Sequence, residues 1–269
     1  MLRFFRQIRQ RLITDNKFSK YLLYAVGEIL LVVIGILIAI QVDNWNEERQ
    51  EKERLNKHLI ELKSSLLKDI KDLRGFEKVN LFRSRSINYV IKQTKGEKLQ
   101  DSDSLTNPTL ILSLHYGQID KNAENDELEL FRIAAEQLPF QVLMWPNKEA
   151  FEELKNTGNF SMIQDTALKN NINRYYVQMD WLFNSTRKSV AMEQIEQWKN
   201  HIIVHHGFLT EDIGKTIDWE VILNDPLTLL YVRDISNTAQ DRADMAWQVK
   251  VDAWKLIKVL DERLSEETQ

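Results

Sequence analysis

The sequence predicts an all-α protein, in which an N-terminal transmembrane helix continues into a stalk and then into a bundle of long amphipathic helices. Three observations carry that prediction. The stretch "YLLYAVGEILLVVIGILIAIQV", Tyr21 to Val42, is almost unbroken hydrocarbon and yet carries Glu28. Leucine and isoleucine then recur at spacings of three and four, the period of a helix with one buried face. With 8 Gly and 4 Pro in 269 residues, the chain is poor in turn formers, and at 43% hydrophobic it is too apolar for disorder. The expected divisions are a basic segment 1–20, a signal anchor 21–42 and an extracytoplasmic helical domain 43–269. The last comprises a stalk helix 43–95, a loop 92–107 and a bundle 108–269.

The first segment places Arg3, Arg6, Arg9, Arg11, Lys17 and Lys20 against Asp15 alone, so the rest of the chain is more acidic than the formal net charge of −4 suggests. A basic head on an acidic body argues against nucleic acid, which needs basic residues on the folded part, and for contact with anionic lipid. Leu2, Phe5, Ile8 and Leu12 recur at helical spacing between the arginines. That pattern fits a short interfacial helix or a plain basic flank. These residues are too few for an output domain, so the chain does not read as a complete signalling receptor.

At ~1.5 Å per residue, the 22 residues from Tyr21 to Val42 reach about 33 Å, enough to cross a ~30 Å hydrocarbon core. The run exceeds the h-region of a cleaved signal peptide, and no small-x-small cleavage site follows it. The basic flank puts the N-terminus in the cytoplasm and the body outside, with Trp45 at the outer headgroup layer. On a helix, Gly35 and Ala39 fall within about 20° of the line through Glu28. This stripe offers close backbone approach beside an ionisable group that is costly in lipid. Three readings of Glu28 stay open: it snorkels or protonates, it hydrogen-bonds to a second copy or a partner helix, or it relays protons in an ion-driven membrane unit.

"NKFSKYLLYAVGEILLVVIGILIAIQVDNWNEER", Asn16 to Arg49, together with the head "RFFRQIRQRLI", resembles the signature of a Bacteroidota membrane-protein family known only as a domain of unknown function. A later segment is similar to that family's "L-x-x-[ST]-G-x-[FL]-S-x-I-x-[DN]-x-x-L…YY" pattern. It is carried by Leu154, Thr157, Gly158, Phe160, Ser161, Ile163, Asp165, Leu168, Tyr175 and Tyr176. Asn224-Asp225-Pro226 gives a weaker third match. The resemblance implies a bacterial inner-membrane protein with one span and a periplasmic body. It implies no activity.

Beyond the span, Leu55, Leu59, Leu62, Leu66, Ile70 and Leu73 form a stripe close to a coiled-coil period. The helix is expected to continue through Phe82, Ile87 and Val90 and to stop in "KQTKGEKLQDSDSLTNP". Asn107-Pro108 has the form of an N-cap followed by Pro at the first helical position. Residues 108–145 suggest short helices and a small β element at "QVLMW". A helix over 147–157 should end at Gly158. One stripe then runs from Asp165 through Leu168, Ile172, Tyr175, Met179, Leu182 and Thr186, resuming at Ala191, Ile195, Trp198 and Ile202. No Gly or Pro breaks it before Gly207. Asp225-Pro226 opens a last helix with two neighbouring seams. These are Ala246, Val249, Ala253, Leu256, Leu260 and Leu264, and then Trp247, Val251 and Trp254, which together predict a wide buried face.

Chemistry is sparse. Cysteine is absent, which excludes disulfides, thiol nucleophiles and thiolate metal sites. No nucleophile elbow, P-loop or dinucleotide fingerprint occurs. "HIIVHH" spaces His201 and His205 at i, i+4 with His206 adjacent, the spacing that can hold one metal. Its interior lacks the glutamate of a zinc hydrolase, and Glu211 and Asp212 lie past Gly207. The bland alternative is a set of histidines favoured at a helix C-terminus. The seven tryptophans and the Tyr175-Tyr176 pair read as core packing before they read as a ligand pocket. The expectation is therefore a non-enzymatic accessory or scaffolding subunit with no cofactor. Its partners would be the lipid bilayer and either a second copy or a multispanning membrane protein. The alternatives are a periplasmic sensor or ligand-binding module, an ion-driven unit, and a metal-dependent enzyme.

Overall fold

The computed structural model describes residues 18–99, 105, 127–141, 143–183, 185–207 and 218–266. The fold is all-α, with no strand among the described residues. Helix α1 spans Phe18–Thr94, α2 Glu127–Ala135, α3 Glu149–Asn156, α4 Asn159–Met162, α5 Thr166–Phe183, α6 Ser185–His206, α7 Trp219–Asn224 and α8 Pro226–Glu266. The chain divides into two compact units, residues 1–57 and 58–269.

In the first unit, the apolar residues of α1 from Leu22 to Val42 lie open, among them Leu31 at 71% and Leu37 at 60%. In the second unit the same helix supplies core, because its leucine stripe keeps returning to one side every three or four residues. Leu59, Leu62, Leu66, Ile70, Leu73, Phe76, Val79 and Phe82 are all buried. The helix stops at Thr94 because Gly96 adopts φ 64, closing a Schellman turn in which Glu97 N–H donates to Lys92 O and Gly96 N–H to Gln93 O.

Helix α8 runs antiparallel to the second-unit part of α1. Lys63 pairs with Asp261, Glu77 with Lys250, and Ser84 with Ser236, so the numbers fall on one helix as they rise on the other. Helices α5 and α6 lie antiparallel along α8 in the same way, through Gln178 to Asp252 and Gln194 to Asp234. One core cluster joins Phe82, Ile87 and Val90 of α1 to Ile133, Ala134 and Ala135 of α2. It also takes in Ile195, Trp198 and Ile202 of α6, Trp219 of α7, and Val232 and Ile235 of α8.

Two buried polar groups tie irregular chain to α1. Arg83 donates through Nε to Gln137 O (2.9 Å) and through Nη2 to Leu138 O (2.8 Å), satisfying carbonyls just past α2. Burial, with Arg242 nearby, lowers its guanidinium to about 9. Asp69 accepts at Oδ1 from the Asn147 backbone N–H (3.0 Å) and side-chain amide (2.9 Å), and at Oδ2 from the Tyr175 hydroxyl (2.9 Å). Ser65 adds a bond to Asn147 O, which fixes the chain just before α3.

Several expectations change. The stripe from Asp165 to Ile202 is two helices, one ending at Phe183 and the next starting at Ser185. Asn184-Ser185-Thr186 are residue types that favour caps over helix interiors, a signal that the periodicity masked. Gln141 and Leu143 to Trp145 form no strand. On α8 the buried face takes in Ala246, Val249, Ala253, Leu256, Ile257 and Leu260, with Val251 and Leu264 half-buried, but it leaves Trp247 and Trp254 exposed. Each tryptophan follows a core alanine directly, and the 100° turn between them carries it to the edge of the face. The tryptophans divide accordingly. Trp198 and Trp219 are core, while Trp45, Trp145, Trp181, Trp247 and Trp254 are exposed. The cap expected at Asn107-Pro108 lies outside the described residues.

Candidate functional site

Two regions carry the residues singled out from the sequence. The first is the apolar stretch of α1, the one helix among the described residues with the length and composition to cross a membrane, with none of its apolar window buried within the chain. Within it Glu28 is half-buried. A Cβ added at Gly35 would meet nothing within 4 Å, and Ala39 is exposed. Trp45 is exposed a little further along. Arg3, Arg6, Arg9, Arg11 and Lys17 lie outside the described residues, and Lys20 belongs to α1.

The second region is the junction of α6 with α8. Helix α6 ends in His205 and His206, where Gly207 turns the chain at φ 71 and donates to Ile203 O. Asp225 is the N-cap of α8. Its Oδ1 accepts the Leu227 N–H at 3.0 Å, and Pro226 fills the first helical position, where no amide hydrogen is needed. This cap leaves Oδ2 to face α6. There it meets His201 Nε2 at 2.5 Å, His206 Nε2 at 3.3 Å and the Thr228 hydroxyl at 2.9 Å.

The bond to His201 is the largest influence on the Asp225 carboxyl and outweighs its burial. With help from Leu227, Thr228 and His206, it holds the group well below the usual carboxylate range. Helix dipoles oppose each other here. The C-terminus of α6 favours positive charge, while the N-terminus of α8 favours the carboxylate.

Of the three histidines singled out, the structure brings His201 and His206 to one point. It leaves His205 exposed, its ring 4.4 Å from that of His201 and tilted 35° to it. Glu211 and Asp212 lie outside the described residues. The carboxylate that joins the histidines is Asp225, which in the sequence reads only as a helix cap. No local spacing links it to residues 19 and 24 positions away. Asp69 was also missed, although it lies three residues from Leu66 and four from Leu73, inside the buried stripe. Tyr175 and Tyr176 pack with Phe151 as core, the Phe151 and Tyr176 rings stacked at 4.1 Å.

Residues 28–102 match a family described as a family of unknown function (DUF6090). The matched stretch takes in Glu28, the Gly35–Ala39 face, Asp69 and Arg83, and stops short of His201, His205 and His206. No curated protein matches the chain. No solved structure matches it either.

Proposed function

We propose that the protein is a membrane-anchored, non-enzymatic accessory or scaffolding subunit of an envelope complex, working through helix contacts in the membrane and outside it. The observation that carries this reading is the exposure of α1 between Leu22 and Val42. Fourteen large aliphatic side chains there are exposed. At roughly 1 kcal/mol for removing about half of each from water, their hydration costs on the order of 14 kcal/mol. That is comparable to the whole stability of an ordinary domain, so the segment needs an apolar environment. Its basic N-terminal flank supports an inner-membrane anchor with a cytoplasmic N-terminus and a periplasmic bundle. The Glu28, Gly35 and Ala39 face supports a second copy or a multispanning protein as neighbour.

The test is affinity purification from native membranes in mild detergent, with wild type beside Glu28→Gln and Gly35→Leu. Wild type retains a membrane protein or a second, differently tagged copy, and both variants lose it. If wild type elutes alone, or the variants retain the same neighbour, the contact reading fails.

A further inference from the structure

We propose that His201, His206 and Asp225 form a binding site for a borderline divalent metal ion of the zinc class, which fastens the end of α6 to the start of α8. The three groups each offer one ligand atom, and these atoms lie within 4.8 Å of one another. Zinc holds imidazole nitrogen and carboxylate oxygen at roughly 2.0–2.2 Å, so tetrahedral neighbours stand roughly 3.3 Å apart. His206 Nε2 is already 3.3 Å from Asp225 Oδ2. His201 Nε2, at 2.5 Å, has to move outward by less than an ångström.

The ligand type selects the ion. Two imidazoles and one carboxylate suit zinc, cobalt or nickel, and not magnesium or calcium, which want oxygen shells. Three protein ligands leave one tetrahedral position for water. Each Nε2 must present its lone pair, so the binding tautomer carries its proton on Nδ1. The surroundings hold the ligands in place. Leu227 N–H fixes Oδ1 of the carboxylate and the Thr228 hydroxyl bonds Oδ2, while His201 and His206 are rooted on a helix whose inner face, Trp198 and Ile202, is core. The inference holds whether or not α1 crosses a membrane.

A second group, His58 with Glu61 and Glu153, also has three ligand atoms within 4.8 Å and serves as the control. Full-length protein in mild detergent is stripped with a chelator and titrated with zinc against a chromophoric competitor. Cobalt(II) reports geometry through its visible absorption. Wild type is expected to take one zinc per chain at micromolar affinity or tighter, with a tetrahedral cobalt spectrum and a raised melting temperature. His206→Ala and Asp225→Asn weaken zinc at least about 100-fold, beyond the roughly 10–100-fold typical of outer-shell changes. His58→Ala leaves the affinity unchanged. Asn caps helices about as well as Asp, so Asp225→Asn keeps the fold and separates loss of a ligand from loss of structure. Zinc binding that survives Asp225→Asn and His206→Ala, that disappears with His58→Ala, or that is absent from wild type overturns the proposal.

Discussion

Removing the carboxylate of Asp69 is the most informative change to the bundle. In Asp69→Ala, three donors lose their acceptor: the Asn147 N–H, the Asn147 side-chain amide and the Tyr175 hydroxyl. Each buried donor left unpaired costs roughly 1–3 kcal/mol. Against this stands relief of the buried charge, since burial raises the Asp69 carboxyl above its usual value despite the Asn147 and Tyr175 bonds. The net expectation is a loss of about 2–4 kcal/mol. For a domain of this size, at roughly 2–4 °C per kcal/mol, that lowers Tm by about 4–16 °C.

Asp69→Asn behaves differently. Its amide oxygen accepts from Asn147, its NH2 donates to the Tyr175 oxygen, and no charge is buried. The folded-state pKa of Asp69 is raised, so wild type loses stability as pH rises from the unfolded value, near 3.8, through the folded one. Asp69→Asn should therefore gain on wild type over that window and keep that gain above it. Thermal melts of the full-length protein in detergent, followed by tryptophan fluorescence from pH 4 to 8, read both effects. A Tm for Asp69→Ala within about 1 °C of wild type would refute the reasoning, as would an Asn variant that loses ground on wild type as pH rises.

Three further outcomes follow from the same structure. Arg83→Met should cost about 2–4 kcal/mol and speed amide exchange around residues 137–141, because two buried carbonyls lose their donors; hydrogen exchange by mass spectrometry reads it. Trp198→Ala should cost about 3–5 kcal/mol in a denaturant melt, whereas Trp254→Gln should cost less than about 1, because Trp198 is 1% exposed and Trp254 48%. The depressed Asp225 carboxyl contributes stability that is present above its unfolded value near 3.8 and lost as pH falls below it. Asp225→Asn should therefore flatten the acid limb of the melting profile below about pH 4, and an unchanged limb would contradict the assigned hydrogen bonds.

What the sequence made legible was periodic. The leucine stripe of α1, the stripe of α5 and the alanine-rich seam of α8 are read directly, because burying one face of a helix imposes a 3.6-residue period. What it hid was non-local or narrow. Asp225 reads as a cap, since its second oxygen acquires meaning only when α8 is laid beside the end of α6. Asp69 hides inside a hydrophobic stripe, where its partners, Asn147 and Tyr175, come from elements far along the chain. Trp247 and Trp254 mislead in the opposite direction, because hydrophobicity suggested a broad core face while the angle from Ala246 and Ala253 carries them to its edge.

The claim that α1 meets protein through one face is tested most directly by site-specific crosslinking, which the absence of cysteine makes straightforward. Single cysteines at positions 33, 35, 37 and 39 each carry a photo-crosslinker in native membranes. Gly35→Cys and Ala39→Cys should give a defined protein adduct. Val33→Cys and Leu37→Cys, about 140° and 180° from Glu28 on the helix, should give lipid adducts alone. Adducts of equal yield at all four positions, or protein adducts at Val33 and Leu37 instead, would contradict the account.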